Sequence, residues 1–157
     1  MTEEMDYKVD REGWAKGPWD DEPDRLEWRD QVTGMPCLIV RSGTTGALCG
    51  YVGVPPSHAD HGKHWQDVEG VDVHGGLTYS SKCAGPICHV AAPGEPDDVW
   101  WLGFDCAHHL DAAPGHDFRM AMIPDLPKGF RDGNVYRDVA YVRAETTRLA
   151  RQLGGMA

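Results

Sequence analysis

The chain has 157 residues, 41% of them hydrophobic, with 19 glycines, 11 prolines and a net charge of −10 from 15 basic and 25 acidic side chains. That length suffices for one domain with a buried core. So acidic a chain, lacking a basic patch, is not expected to bind nucleic acid directly, because Lys and Arg supply that affinity by neutralising phosphates. No run of 18 apolar residues occurs, so no membrane association is expected.

The opening Met1-Thr-Glu-Glu-Met-Asp is acidic and lacks the apolar core of a signal peptide, which leads us to expect a cytoplasmic protein. In that compartment five cysteines favour thiols or metal ligands over disulfides. Residues 1–31 read as an acidic arm, with 11 acids against 5 bases in the first 30. Trp14, Trp19 and Trp28 predict that the arm docks, since disordered tails are poor in aromatics. Residues 32–157 read as the single domain.

Within it, 36–42 and 47–54 predict a hairpin around Gly43-Thr44-Thr45-Gly46, ended by Pro55 and Pro56. Residues 57–69 read as a polar loop or short helix carrying His58, His61 and His64. Residues 71–80 alternate and predict a third strand. Residues 81–97 read as a long Gly/Pro-rich loop. Residues 98–106 are apolar on both parities, which predicts a central strand covered on both faces. Residues 112–133 read as a loop punctuated by Pro114, Pro124 and Pro127. A helix is predicted over about 135–153, capped by Asn134 and Gly154, with Val135, Val139, Val142, Thr146, Leu149 and Leu153 in one stripe. The fold class that follows is α+β: a mostly antiparallel sheet of about four strands with one long C-terminal helix packed on a face and long Gly/Pro-rich loops.

Chemistry-bearing groups concentrate between residues 74 and 111. Cys83 and Cys88 flank a Gly85-Pro86 turn and, with His89, form a candidate zinc set; a disulfide and unligated thiols remain alternatives. Cys106 either is a buried thiol, sharing parity with Trp100, Leu102 and Phe104, or joins His108 as an imidazole-activated nucleophile. His74, Cys106, His108 and Asp111 are the candidate catalytic residues of a metal- or thiol-dependent hydrolase. Gly75, Gly76, Thr78 and Asp105 are candidate ligand-binding residues, because glycines beside His74 let a ligand approach the backbone. A β-bulge would explain the same glycines. No phosphate loop, nucleotide fingerprint, zinc-protease helix motif or nucleophile elbow is present.

Several strings then resemble a known group: His74-Gly-Gly-Leu-Thr-Tyr, Cys83 with Ile87-Cys-His-Val, Pro93-Gly-Glu-Pro-Asp-Asp-Val-Trp-Trp, Gly103-Phe-Asp-Cys-Ala-His, and Tyr136-Arg-Asp with Tyr141-Val-Arg-Ala-Glu. These resemble small proteins without assigned activity encoded by tailed phages and prophages of GC-rich bacteria. The likeness runs over roughly residues 50–153. Where that pattern has a small residue after the histidine at 108 and a glycine before the aspartate at 111, this chain has His109 and Leu110. The resemblance implies an accessory protein inside an infected or lysogenic cell. The leading expectation is a host-defence inhibitor that binds a protein complex or a nucleotide signal. A small hydrolase and a zinc-stabilised, non-catalytic binding domain are the alternatives.

Overall fold

A computed structural model describes residues 6–125 and 133–155. The central element is a five-stranded antiparallel sheet in the order β1-β2-β3-β5-β4. Its strands are β1 (Arg25–Arg29), β2 (Pro36–Arg41), β3 (Leu48–Val54), β4 (Tyr79–Lys82) and β5 (Trp100–Asp105). A two-residue parallel pair joins β6 (Asp111–Ala112) to β7 (Val135–Tyr136). Helix α1 spans Pro114–Ala121 and helix α2 spans Val139–Leu153.

The α+β class stands as read, but with five strands in the sheet rather than about four and with a second helix. The extra strand is β1, which lies in the segment read as an arm. Its charges hide it: Arg25 and Glu27 pair with each other at 3.2 Å while Leu26 and Trp28 pack on the core. The third strand is also shorter than alternation suggests. Residues 73–76 form a turn, with the Gly76 N–H donating to the Val73 carbonyl at 2.9 Å, and pairing with β5 is confined to Tyr79–Lys82. Helix α1 gave no cap signal, because Ala113 occupies its N-cap position and Pro114 its first turn, where proline is well tolerated. The segment 126–132, within the stretch read as a loop, lies outside the described residues, as do residues 1–5 and 156–157.

Helix α2 covers one face of β2 and β3. Val142, Leu149 and Leu153 join Cys37, Ile39, Val52, Leu102 and Phe104 in one core, and Thr146 on the same stripe is fully buried. The approach is close at Gly50, where a Cβ would stand 2.2 Å from Thr146 Oγ1. The helix begins at Val139 rather than 135, because Val135 and Tyr136 pair with β6 and Asp138, not Asn134, is the N-cap. The Asp138 carboxylate accepts from the Tyr141 N–H at 2.9 Å. Glu22 adds a second cap, accepting from the Val139 N–H at 2.7 Å. Gly154 ends the helix as expected.

The second face carries Leu38, Val40, Cys49, Tyr51 and Trp101, against which Tyr7 and Ile87 pack. β5 therefore has apolar cover on both sides, as its two-parity sequence predicts. Trp14 packs over the Gly46 turn, and Trp19 meets Tyr136 edge-on at 5.0 Å. The three loop histidines serve as local ties. His58 Nε2 donates to the last α2 carbonyl, Leu153 O, at 2.6 Å; His61 meets the Asp98 carbonyl at 2.8 Å; His64 caps a short 3-10 turn. Among the described residues no helix is long and apolar enough to cross a membrane.

Candidate functional site

Three loops converge beside the N-terminal turns of α2. The 73–76 turn supplies His74, the stretch from the end of β5 to the start of β6 supplies Asp105, His108 and Asp111, and α2 with the residues leading into it supplies Arg137, Tyr141 and Glu145. At the centre is Asp111, 1% exposed. One of its oxygens accepts from Arg137 Nε at 2.9 Å. The other accepts from His74 Nε2 at 2.8 Å and the His108 backbone N–H at 3.0 Å. Burial alone would raise the Asp111 carboxyl, but the hydrogen bonds from His74, Arg137 and the His108 N–H outweigh it and hold the group below the ordinary carboxylate range.

His74 is gripped on both sides. With Nε2–H donating to the Asp111 carboxylate, Nδ1 accepts from the Tyr141 hydroxyl at 2.8 Å, and the His74 N–H donates to Glu145 at 2.9 Å. The Arg137 guanidinium lies 5.0 Å from the Tyr141 ring centre. Burial, and next the Glu145 charge, raise the Tyr141 hydroxyl above its usual value, while Arg137 opposes them. The phenol is thus an O–H donor at neutral pH rather than a phenolate.

His108 Nε2 stands 3.2 Å from Asp105 Oδ1 without hydrogen-bond alignment, and its ring lies 6.0 Å from that of His74. Asp105 also accepts from the Thr78 hydroxyl at 2.8 Å. Gly75 and Gly76 both adopt the left-handed region, at φ +68° and +78°. A Cβ on Gly75 would stand 2.3 Å from His108 Nε2, so the glycine makes room for an imidazole. Neither a β-bulge nor a regular strand is present here.

Of the four candidate catalytic residues, His74, His108 and Asp111 come together. Cys106 does not join them. It is 1% exposed in the α2-facing core, and burial, reinforced by Asp111, raises its thiol well above the ordinary range. A core-facing, protonated thiol is a poor nucleophile. Cys37 and Cys49 are also buried and free, each pushed up to about 12.

No protein-family model, curated protein or solved structure matches the chain.

Arg137, Tyr141 and Glu145 were not among the candidates read from sequence. Tyr141 and Glu145 are four residues apart beside the apolar stripe, a polar pair on one helix face. Leu110 was legible only as a departure from a pattern. It adopts φ +73° and is 55% exposed, so a left-handed leucine aims Asp111 inward. That conformation costs an L-residue about 1–2 kcal/mol. The greater unfolded-chain freedom of glycine takes back roughly 0.5–1 kcal/mol. Leu110→Gly is therefore expected to leave stability unchanged or raise it by up to about 1 kcal/mol. Urea unfolding tests this, and a loss above about 1 kcal/mol would refute it.

The cysteine loop corrects the candidate metal set. Cys83 and Cys88 form a disulfide across a tight hairpin in which Ala84 and Ile87 exchange backbone hydrogen bonds at 3.0 Å. Neither sulfur is a thiolate ligand in this state. Asp97, which the sequence did not single out, brings its carboxylate within 2.9 Å of Cys88 Sγ. Among the described residues, Cys83, Cys88 and Asp97 are the group whose potential ligand atoms lie within 4.8 Å of one another. His89 is outside that group, stacked edge-on against Trp101.

Proposed function

We propose that this chain is a binding protein: a phage- or prophage-encoded accessory factor that acts in the bacterial cytoplasm by presenting an acidic surface to a basic host component. The observation that carries this reading is the division of labour among the acids of the N-terminal segment. Glu22 and Asp24 turn inward onto Arg11, Arg41, Tyr136 and the α2 N-terminus, tying the segment to the domain. Asp10, Glu12, Asp20 and Asp21 remain exposed on the segment so fixed. A rigidly held acidic surface steers and selects basic partners without a catalytic group. A host protein complex fits that chemistry better than a nucleotide signal, whose phosphates an acidic face would repel.

A second reading has its own support. The Asp111–His74–Tyr141 relay is an arrangement that can draw the proton of Tyr141 Oη onto His74 Nδ1, with Asp111 orienting the imidazole and Arg137 balancing the carboxylate charge. This favours a small hydrolase in which His74 is the base and Tyr141 Oη the group it deprotonates, without the Cys106 nucleophile. A zinc-stabilised domain is the third reading, and it requires the Cys83–Cys88 pair to be reduced.

A crossed pair of variants tests the first two. Infection efficiency is measured in a defended host expressing the protein. The binding reading expects neutralisation of Asp10, Glu12, Asp20 and Asp21 to abolish protection of the phage while Tyr141→Phe retains it. The reverse outcome overturns that reading in favour of the relay. Loss in neither variant overturns both.

A further inference from the structure

We propose that residues 83–97 form a redox-gated zinc site, closed as the Cys83–Cys88 disulfide and opened by thiol reduction to hold one Zn²⁺ through both sulfurs and the Asp97 carboxylate. The hairpin makes the pairing independent of the sulfur–sulfur bond. Its Ala84–Ile87 bridge and the left-handed Gly85, at φ +55°, keep the two cysteines opposite each other by backbone alone. The loop is also pinned from below, since Arg25 donates to the Pro86 and Cys88 carbonyls at 3.0 and 2.5 Å. Reduction therefore need not release it from the sheet.

His89 supplies a separate observation. Its side chain is 1% exposed, neither ring nitrogen forms a hydrogen bond, and Nδ1 stands 3.3 Å from Asp97 Oδ1. Burying such groups unsatisfied is costly, and a site that needs them explains it. With the other Asp97 oxygen near Cys88, the imidazole is placed to hold that carboxylate in orientation, as outer-shell partners of metal ligands do. Two thiolates and one carboxylate suit zinc and leave a fourth position for water. The three remaining cysteines are buried in the two cores and compete little.

The chemistry balances. Two thiols of a small-molecule or protein reductant are oxidised to their own disulfide as Cys83–Cys88 is reduced to two thiols. Zinc then displaces one proton from each, so about two protons are released per ion. A reducing cytoplasm would load the site and an oxidising compartment would empty it.

The test uses full-length, metal-free protein in both redox states, with Co²⁺ and Zn²⁺ as probes. The reduced protein is expected to bind about one equivalent of Co²⁺ with a thiolate-to-metal charge-transfer band that Zn²⁺ abolishes, releasing about two protons per zinc. The oxidised protein is expected to bind at least about a hundredfold more weakly and to show no such band, since a disulfide offers no thiolate. Asp97→Asn should weaken binding by about tenfold or more while keeping the band. The proposal is overturned if reduced protein gives no thiolate band at one equivalent. It is overturned equally if oxidised protein binds as tightly, or if the band survives in Cys83→Ser/Cys88→Ser. Should that variant not fold, the comparison of the two redox states of the unaltered chain decides alone.

Discussion

Arg41→Met is expected to lower the unfolding free energy by about 3–5 kcal/mol at neutral pH, the usual cost of removing one partner from a buried ion pair. The Arg41 side chain is fully buried. Its Nε donates to Asp24 at 2.8 Å, and a second nitrogen donates to the Gly46 carbonyl at 2.9 Å and the Tyr136 hydroxyl at 2.8 Å. Tyr136 in turn donates to Glu22 at 2.5 Å, the carboxylate that caps α2. Methionine fills the volume but leaves Asp24, 6% exposed, with Arg11 alone as a bonded cation among the described residues. The expected result is a lower urea midpoint with little change in slope.

The pH dependence of that loss has a definite sign. Burial raises the Asp24 carboxyl, but hydrogen bonds from the Val9 N–H, Arg11 and Arg41 outweigh it and depress it overall. A depressed carboxyl contributes stability that is present above its unfolded value, about 3.9, and lost as pH falls through the folded value. The penalty of Arg41→Met should therefore shrink as pH falls below about 3.9, where the unfolded chain takes up the proton first, and fade as pH passes the depressed folded value of Asp24. Adding Asp24→Leu to Arg41→Met should recover part of the loss at neutral pH, because an apolar pair leaves no charge stranded. A double variant as unstable as the sum of its singles would contradict this account.

Asp111→Asn is expected to cost about 3 kcal/mol, because the carboxylate is fully buried and accepts hydrogen bonds from His74, the His108 N–H and the Arg137 guanidinium. An amide keeps one acceptor oxygen and turns its NH₂ toward a donor. The Asp111 carboxyl is also held below its usual range, so its contribution too is present above about pH 3.9 and fades as pH falls through the folded value. The variant's stability profile should accordingly converge on that of the parent chain in acid. Faster amide exchange at the His108 N–H would locate the damage in the 105–111 loop. An unchanged exchange rate together with a loss below about 1 kcal/mol would mean that Asp111 does not organise the site.

Much of the framework was legible because periodicity is local. The alternation and glycine-bounded turn around residues 36–54 specify a hairpin, the two-parity run at 98–106 specifies an internal strand, and the stripe from Val142 to Leu153 specifies the face that α2 buries. Errors fell where one signal masked another. Charge at Arg25 and Glu27 concealed β1, Pro114 read as a breaker opened α1, and apparent alternation at 71–80 ran through a turn made by two left-handed glycines. His74, His108 and Asp111 could be nominated from residue type, and the structure brings them together. Cys106 was nominated on the same ground, but strand parity turns it into the core.

By itself, the sequence determined the secondary elements that depend on neighbours a few residues apart, and the short region where reactive side chains concentrate. Only the tertiary structure decided which of those side chains meet. His74 and Asp111 are 37 positions apart, Glu22 and Tyr136 are 114 apart, and Cys88 finds Asp97 across a loop with no periodicity. Such pairs form because buried charges and donors require partners wherever the sheet order and loop paths bring them. That requirement is set by the path of the whole chain, and no local pattern encodes it.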